Sequence, residues 1–121
     1  MKKLLLMATM LLIFGAANAQ IADVTQKGSY AYVYDENGRE LSNMYIGENE
    51  IGGVASSFFV VKKGSYAYVY DSSCREISNM YIGENRIKGA SGSSFSVKKG
   101  SYLYVYDKNC RELSNRYVGD N

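Results

Sequence analysis

From Gly28 onward large and small side chains alternate, and Tyr30-Ala31-Tyr32-Val33-Tyr34 sets tyrosines on one side of an extended chain and Ala and Val on the other. A two-residue period in a run rich in Tyr and Val predicts a β-strand. Asp35-Glu36-Asn37-Gly38-Arg39 follows with turn chemistry. Gly38 is free to take the positive φ that closes a three-residue hairpin loop with a bulge, and residues 39–46 are predicted to return as the second strand. A shorter strand is predicted ahead of each hairpin, over residues 21–25, 58–61 and 94–97, with Lys62-Lys63-Gly64 and Lys98-Lys99-Gly100 as the tight turn into the tyrosine strand. Across the hairpin, Asp35 is expected opposite Arg39, Val33 opposite Leu41, Ala31 opposite Asn43 and Ser29 opposite Tyr45 on the core side. Tyr34, Tyr32 and Tyr30 then face Glu40, Ser42 and Met44 on the other.

The same pattern occurs three times at a spacing of 36 residues. Residues 28–47 and 64–83 differ at four of twenty positions, and residues 64–83 and 100–119 at six. A chain of this kind builds one small unit repeatedly and buries it by packing copies together. The segments 48–56 and 84–92 are rich in Gly, Ser and Ala and read as loops anchored by Ile51 and Ile87. The outer copies look as regular as the middle one, without the atypical end units of an open repeat array. The expected fold is therefore all-β, with three repeats (about 21–56, 57–92 and 93–121) of about three strands each in a closed, pseudo-three-fold arrangement, prism-like or trefoil-like. The alternative is a short β-solenoid in which equivalent residues stack about 4.8 Å apart. With no proline in the chain, closure or pairing must protect the sheet edges.

Residues 1–19 stand outside this design. Lys2-Lys3, an apolar run from Leu4 to Phe14 and then Ala17-Asn18-Ala19 form the pattern of a secretory signal peptide cut before Gln20. The expected location is secreted, extracellular or periplasmic, with membrane contact only during export, and residues 20–121 form a single domain. Without Lys2 and Lys3 the basic and acidic residues balance at twelve each, which argues against a nucleic-acid partner, since a polyanion binder needs clustered positive charge. Cys74 and Cys110 hold equivalent places where the first repeat has Gly38, and in an oxidising compartment they are expected to form one disulfide, the alternatives being two free thiols held apart by the fold or an intermolecular bridge. Cysteine fits a positive φ less well than glycine, so the second and third turns are expected to differ in detail.

Two cysteines and no histidine exclude the usual zinc sites. No cofactor motif, nucleophile elbow or phosphate loop is present, and the carboxylates recur in every repeat where one active site needs a unique arrangement, so no enzyme is expected. The chemistry that remains is aromatic and polar. Nine of the twelve tyrosines lie on the tyrosine strand, where they serve either as core or as a surface that keeps its hydroxyls outward. Sugars present apolar ring faces that stack on aromatics and hydroxyls that pair with Asp, Asn and Arg. The candidate ligand residues are thus Tyr34, Asp35, Arg39 and Asn43, with Tyr70, Asp71, Arg75 and Asn79, and Tyr106, Asp107, Arg111 and Asn115. Repetition would add avidity toward a cell-surface or matrix glycan. The rival class is a structural protein of a filament, coat or matrix that associates with itself through sheet edges.

Tyr32-Val33-Tyr34-Asp35-Glu36-Asn37-Gly38-Arg39-Glu40-Leu41 resembles the core of the YD repeat of Rhs-type and wall-associated bacterial proteins, whose pattern is Tyr-x-Tyr-Asp-x-x-Gly-Arg-x-Leu. The likeness covers about ten residues per unit and departs from the pattern at Cys74, Cys110 and in its longer spacing. It implies an extracellular, carbohydrate-associated β-hairpin repeat and no catalytic site.

Overall fold

The computed structural model describes residues 19–120, so all of the leader except Ala19 lies outside the described residues. The fold is all-β. Among the described residues, eleven strands form three separate antiparallel sheets. The first holds β1 (Asp23–Lys27), β2 (Tyr30–Tyr34) and β3 (Glu40–Tyr45). The second holds β4 (Glu50–Val54), β5 (Phe59–Lys63), β6 (Tyr66–Tyr70) and β7 (Glu76–Tyr81). The third holds β8 (Arg86–Ser91), β9 (Ser94–Lys99), β10 (Tyr102–Asp107) and β11 (Glu112–Tyr117). Each sheet is a simple meander in chain order, as short loops between antiparallel neighbours require.

Two expectations change here. The segments expected to be loops form β4 and β8, so the second and third sheets have four strands each. Their glycines permit a close approach between sheets: a Cβ on Gly53 would come within 2.8 Å of the Ala90 backbone nitrogen, and one on Gly52 within 2.8 Å of Ile87. The lysine pairs are also strand, and the turns are the two-residue loops Gly28-Ser29, Gly64-Ser65 and Gly100-Ser101. Glycine with φ near 60° at the first loop position suits the type II′ geometry that matches strand twist.

The hairpin register also differs. Tyr34 faces Glu40 as expected, but a bulge follows, and Val33 then faces Ser42, Tyr32 faces Asn43, Ala31 faces Met44 and Tyr30 faces Tyr45. The same shift recurs in the other sheets. One extra residue on the return strand moves everything beyond it to the opposite face. Ser42 and Met44 thereby join Ala31 and Val33, while Asn43 and Tyr45 join the tyrosines.

Each sheet consequently has an Ala/Val face and a Tyr face, and the sheets pack unlike faces together. Val24, Ala31 and Val33 of the first sheet meet Phe59, Val61 and Tyr70 of the second in one buried cluster. Phe58, Val60, Ala67 and Val69 on the other face of the second sheet meet Phe95, Val97 and Tyr106 of the third. The middle sheet is buried on both sides. The expected closed three-fold arrangement is not confirmed: no sheet is closed, and the middle sheet meets its neighbours through opposite faces. The solenoid alternative fails to match as well, because the strands form separate antiparallel meanders that meet face to face and equivalent strands do not pair with one another.

The end units are less regular than the sequence suggested. On the uncovered Tyr face of the first sheet, Asp23 and Thr25 hold the places of Phe59 and Val61. On the uncovered face of the third sheet, Ser94, Ser96 and Arg116 hold those of Phe58, Val60 and Met80. Polar residues at the ends of a stack are what solubility requires.

Gly53→Val is expected to lower stability by about 1–3 kcal/mol, because the new side chain must push two backbones apart. Thermal unfolding monitored by circular dichroism checks this, with Gly38→Val as a comparison in which strain at positive φ acts without any crowding.

Candidate functional site

The turn that closes each β2–β3-type hairpin is built by its aspartate. Asp35 Oδ1 accepts the Asn37 and Arg39 backbone N–H groups, each at 2.9 Å, and Asp71 and Asp107 accept equivalent bonds in their repeats. Arg39 Nε lies 3.3 Å from Asp35 Oδ2 and Arg75 Nε 3.4 Å from Asp71 Oδ2. The Arg39 backbone N–H is the main cause holding the Asp35 carboxyl below its ordinary value, opposed by desolvation and aided by the Asn37 N–H and the guanidinium. Such exposed ion pairs add little to stability. Asn43, Asn79 and Asn115 donate to the carboxylates of Glu40, Glu76 and Glu112 at 2.8, 2.8 and 2.9 Å.

The tyrosines chosen with these groups lie in different settings. Tyr34 is half-buried and its hydroxyl accepts from Lys27 Nζ at 3.3 Å. Tyr70 and Tyr106 are only 5% and 4% exposed, sealed against the preceding sheet. Lysines from the adjacent strand run across the rings: Lys63 Nζ is 4.8 and 5.1 Å from the Tyr68 and Tyr70 centroids, and Lys99 Nζ 4.8 and 5.2 Å from Tyr104 and Tyr106. Lys27 does the same over Tyr32 and Tyr34. Lys63 and Lys99, expected in turns, thus line the tyrosine face together with Lys27 in cation–π contacts. Of the remaining candidates, Asp71 and Arg75 line a surface cavity of about 320 Å³ together with Ile77 and Lys108, while Arg111 is exposed. Within each repeat the structure brings the aspartate, arginine and tyrosine to the turn end of the hairpin, where most of their polar atoms are engaged with their own strand.

Both turns that carry cysteine keep the geometry of the first. Cys74 and Cys110 have φ of 61° and 62° beside 76° for Gly38, so the expected difference between turns is absent. Left-handed backbone costs a non-glycine residue about 1–2 kcal/mol. The thiols are placed to recover part of it. Cys74 Sγ lies 3.1 Å from Ser42 Oγ of the preceding sheet, and Cys110 Sγ 3.2 Å from Ser78 Oγ. The same serine hydroxyls donate to the carbonyls of Ser72 and Lys108 at 2.6 Å. The first turn has no preceding sheet among the described residues, and it has Gly38 instead. The expected Cys74–Cys110 disulfide does not form: both cysteines are free. They occupy equivalent turns of face-packed sheets, about 10 Å apart by sheet spacing, which is beyond disulfide reach.

The most exposed aromatic groups lie at the opposite end of the same hairpins. Tyr30 and Tyr45 meet edge to face at 5.5 Å, as do Tyr66 and Tyr81 at 5.5 Å and Tyr102 and Tyr117 at 5.7 Å. Tyr45, Tyr81 and Tyr117 are 65–66% exposed and their partners 43–45%. Gly47 and Gly83 leave room for the outer ring, since a Cβ there would stand 3.3 or 3.4 Å from its hydroxyl. Each pair leaves both of its rings partly open to solvent, and the pair recurs once in each of the three sheets. The sequence reading missed Tyr45, Tyr81 and Tyr117 because it placed Tyr45 on the core side. No residue type marks the bulge in the sequence, and shifting the register by one next to Tyr34 carries Tyr45 onto the tyrosine face.

Among the described residues no group of three or more His, Cys, Asp or Glu is placed to hold a metal ion. The chain matches no model of a known protein family and no curated protein.

Burial is the main cause that raises both thiols above the ordinary value of 9.0, with Ser42 or Ser78 opposing it and Asp71 or Asp107 aiding it. A thiol that holds its proton more tightly when folded contributes stability that is complete below the unfolded value and is lost as pH rises through the folded one. Alkylation of the native protein by iodoacetamide is therefore expected to follow a pH profile centred above 9.0. A centre at or below that value would show that the turns do not bury these thiols.

Proposed function

We propose that this is a non-catalytic binding module of an exported protein, and that it binds an extended glycan along the three exposed tyrosine pairs. The observation that carries the reading is the set Tyr30–Tyr45, Tyr66–Tyr81 and Tyr102–Tyr117, which leaves six large rings open to solvent in one repeated arrangement. An isolated exposed tyrosine needs no explanation, but a repeated pair does. An L-shaped pair of rings accepts the apolar face of a pyranose on one ring and its edge on the other, while the hydroxyls stay free to pair with the sugar.

Three weak subsites on one rigid scaffold act together on a polymer and scarcely at all on a monosaccharide. The resemblance of the hairpin to carbohydrate-associated YD repeats and the signal-peptide pattern at the start of the chain point in the same direction. The turn residues Asp35, Asp71 and Asp107 then act as the frame of each hairpin. Arg39, Arg75 and Arg111, with their exposed guanidinium groups, form a second polar row at the far end.

Affinity electrophoresis through gels that contain neutral or acidic polysaccharides tests the proposal. The protein is expected to be retarded by at least one of them, and Tyr45→Ala, Tyr81→Ala and Tyr117→Ala together are expected to abolish retardation while leaving the fold intact. Each single change should weaken it by a few-fold, since avidity multiplies weak sites. No retardation by any polysaccharide, or retardation unchanged in the triple variant, would overturn the reading.

A further inference from the structure

The sheet-to-sheet contact is used twice inside the chain, and each time the Ala/Val face of one sheet receives the Tyr face of the next. The polar links repeat as well, with Ser42 bonded to the turn at residues 72–74 and Ser78 to that at 108–110. One unused half of this contact remains at each end. On the third sheet, Leu103 and Val105, with Ser94 and Ser96, border an open groove of about 330 Å³. Leu113 is 57% exposed there, although its counterparts Leu41 and Ile77 are packed against the two buried clusters. On the first sheet, Tyr32 and Tyr34 occupy the places of Tyr68 and Tyr70, which the internal contact covers.

The polar exchanges at the two ends fall at matching positions. Phe58 meets Phe95 within the stack, with centroids 6.4 Å apart. Their equivalents at the two ends are Ser94 and Asp23. Where one half of the contact loses its ring, so does the other, which turns a core-like contact into one that two separately folded chains can make in water. Apolar contact is kept further along, where Leu103 and Val105 lie at the positions that face tyrosines inside the stack.

The spacing of the sheets adds a direction. At one edge Gly52 and Gly53 let β4 and β8 nearly touch. Toward the other strands the gap holds Phe95, Tyr104, Tyr106, Met80 and Ile77. Sheets that are close at one edge and held apart by rings at the other splay like a fan. Meander sheets in such a fan close into a ring at roughly four to eight sheets, more than the three of one chain and compatible with the six of two.

We infer that two copies of this chain close a six-sheet ring, the first sheet of each copy stacking on the third sheet of the other. The interface is head-to-tail and occurs twice about a two-fold axis. In that arrangement Ser114 of one copy takes the role of Ser42 and Ser78 and meets the turn at Gly38 of the other.

Light scattering on the exported protein over a concentration series is expected to give twice the chain mass, falling to the single mass for Val105→Arg, a residue whose side chain lies on the open face. A cross-link fixes the geometry. Gly38→Cys and Ser114→Cys chains, mixed and oxidised with glutathione disulfide, are expected to yield a covalent dimer that neither variant forms alone, the two thiols giving up two protons and two electrons to the oxidant. A single-chain mass at all concentrations, open-ended polymers, or a mixture that fails to cross-link while its variants stay folded would overturn the inference. The tyrosine pairs lie outside this contact, so glycan retention reports on the other proposal independently.

Discussion

Everything in this fold depends on the seating of a tyrosine face against an Ala/Val face. A meander of three or four short strands cannot stand alone in water, because one sheet buries too little. Here the second sheet becomes stable by placing Phe59, Val61 and Tyr70 over Ala31 and Val33, and the third by placing Phe95, Val97 and Tyr106 over Ala67 and Val69. Small residues on one side make room for large ones on the other, so the alternation within the strand is also the shape complementarity between sheets. The glycines of β4 and the left-handed cysteines follow from that seating: the first let the strands approach and the second carry a thiol to a waiting serine.

The strands β2 and β3 and the hairpin between them were legible in the residues, because a two-residue period and an Asp-to-Gly turn have few other solutions. So was the burial of Ala31, Val33, Ala67 and Val69, which are fully inaccessible. The register was not. A bulge costs no recognisable residue type in a sequence, yet it moved Ser42, Asn43, Met44 and Tyr45 to the opposite faces. The strands β4 and β8 were hidden for a related reason. Glycine lowers strand propensity, and the gain that outweighs it, contact with another sheet, lies in residues 35 to 37 positions away. The absence of end units was misread because the exchanges are few. Asp23 and Thr25 at one end and Ser94, Ser96 and Arg116 at the other sit within strands that otherwise match.

The candidate site was legible in its residue types and misplaced along the hairpin. Asp35, Arg39 and their copies are held by backbone and ion-pair contacts at the turn, and Tyr70 and Tyr106 are enclosed between sheets. The rings that remain open stand at the other end, where the tyrosine strand meets the residue just before Ile46. A pattern argument that counts tyrosines cannot separate these groups, since each strand supplies both: its first tyrosine is exposed and its third is covered in the second and third repeats.

The tyrosine faces of the second and third sheets rest on the sheet that precedes each in the chain, and each cysteine finds its serine there too. A ribosome delivers the chain in that same order, so every new hairpin emerges to meet a template that already exists. Once the first two sheets have met, assembly can proceed one unit at a time from the N-terminal side.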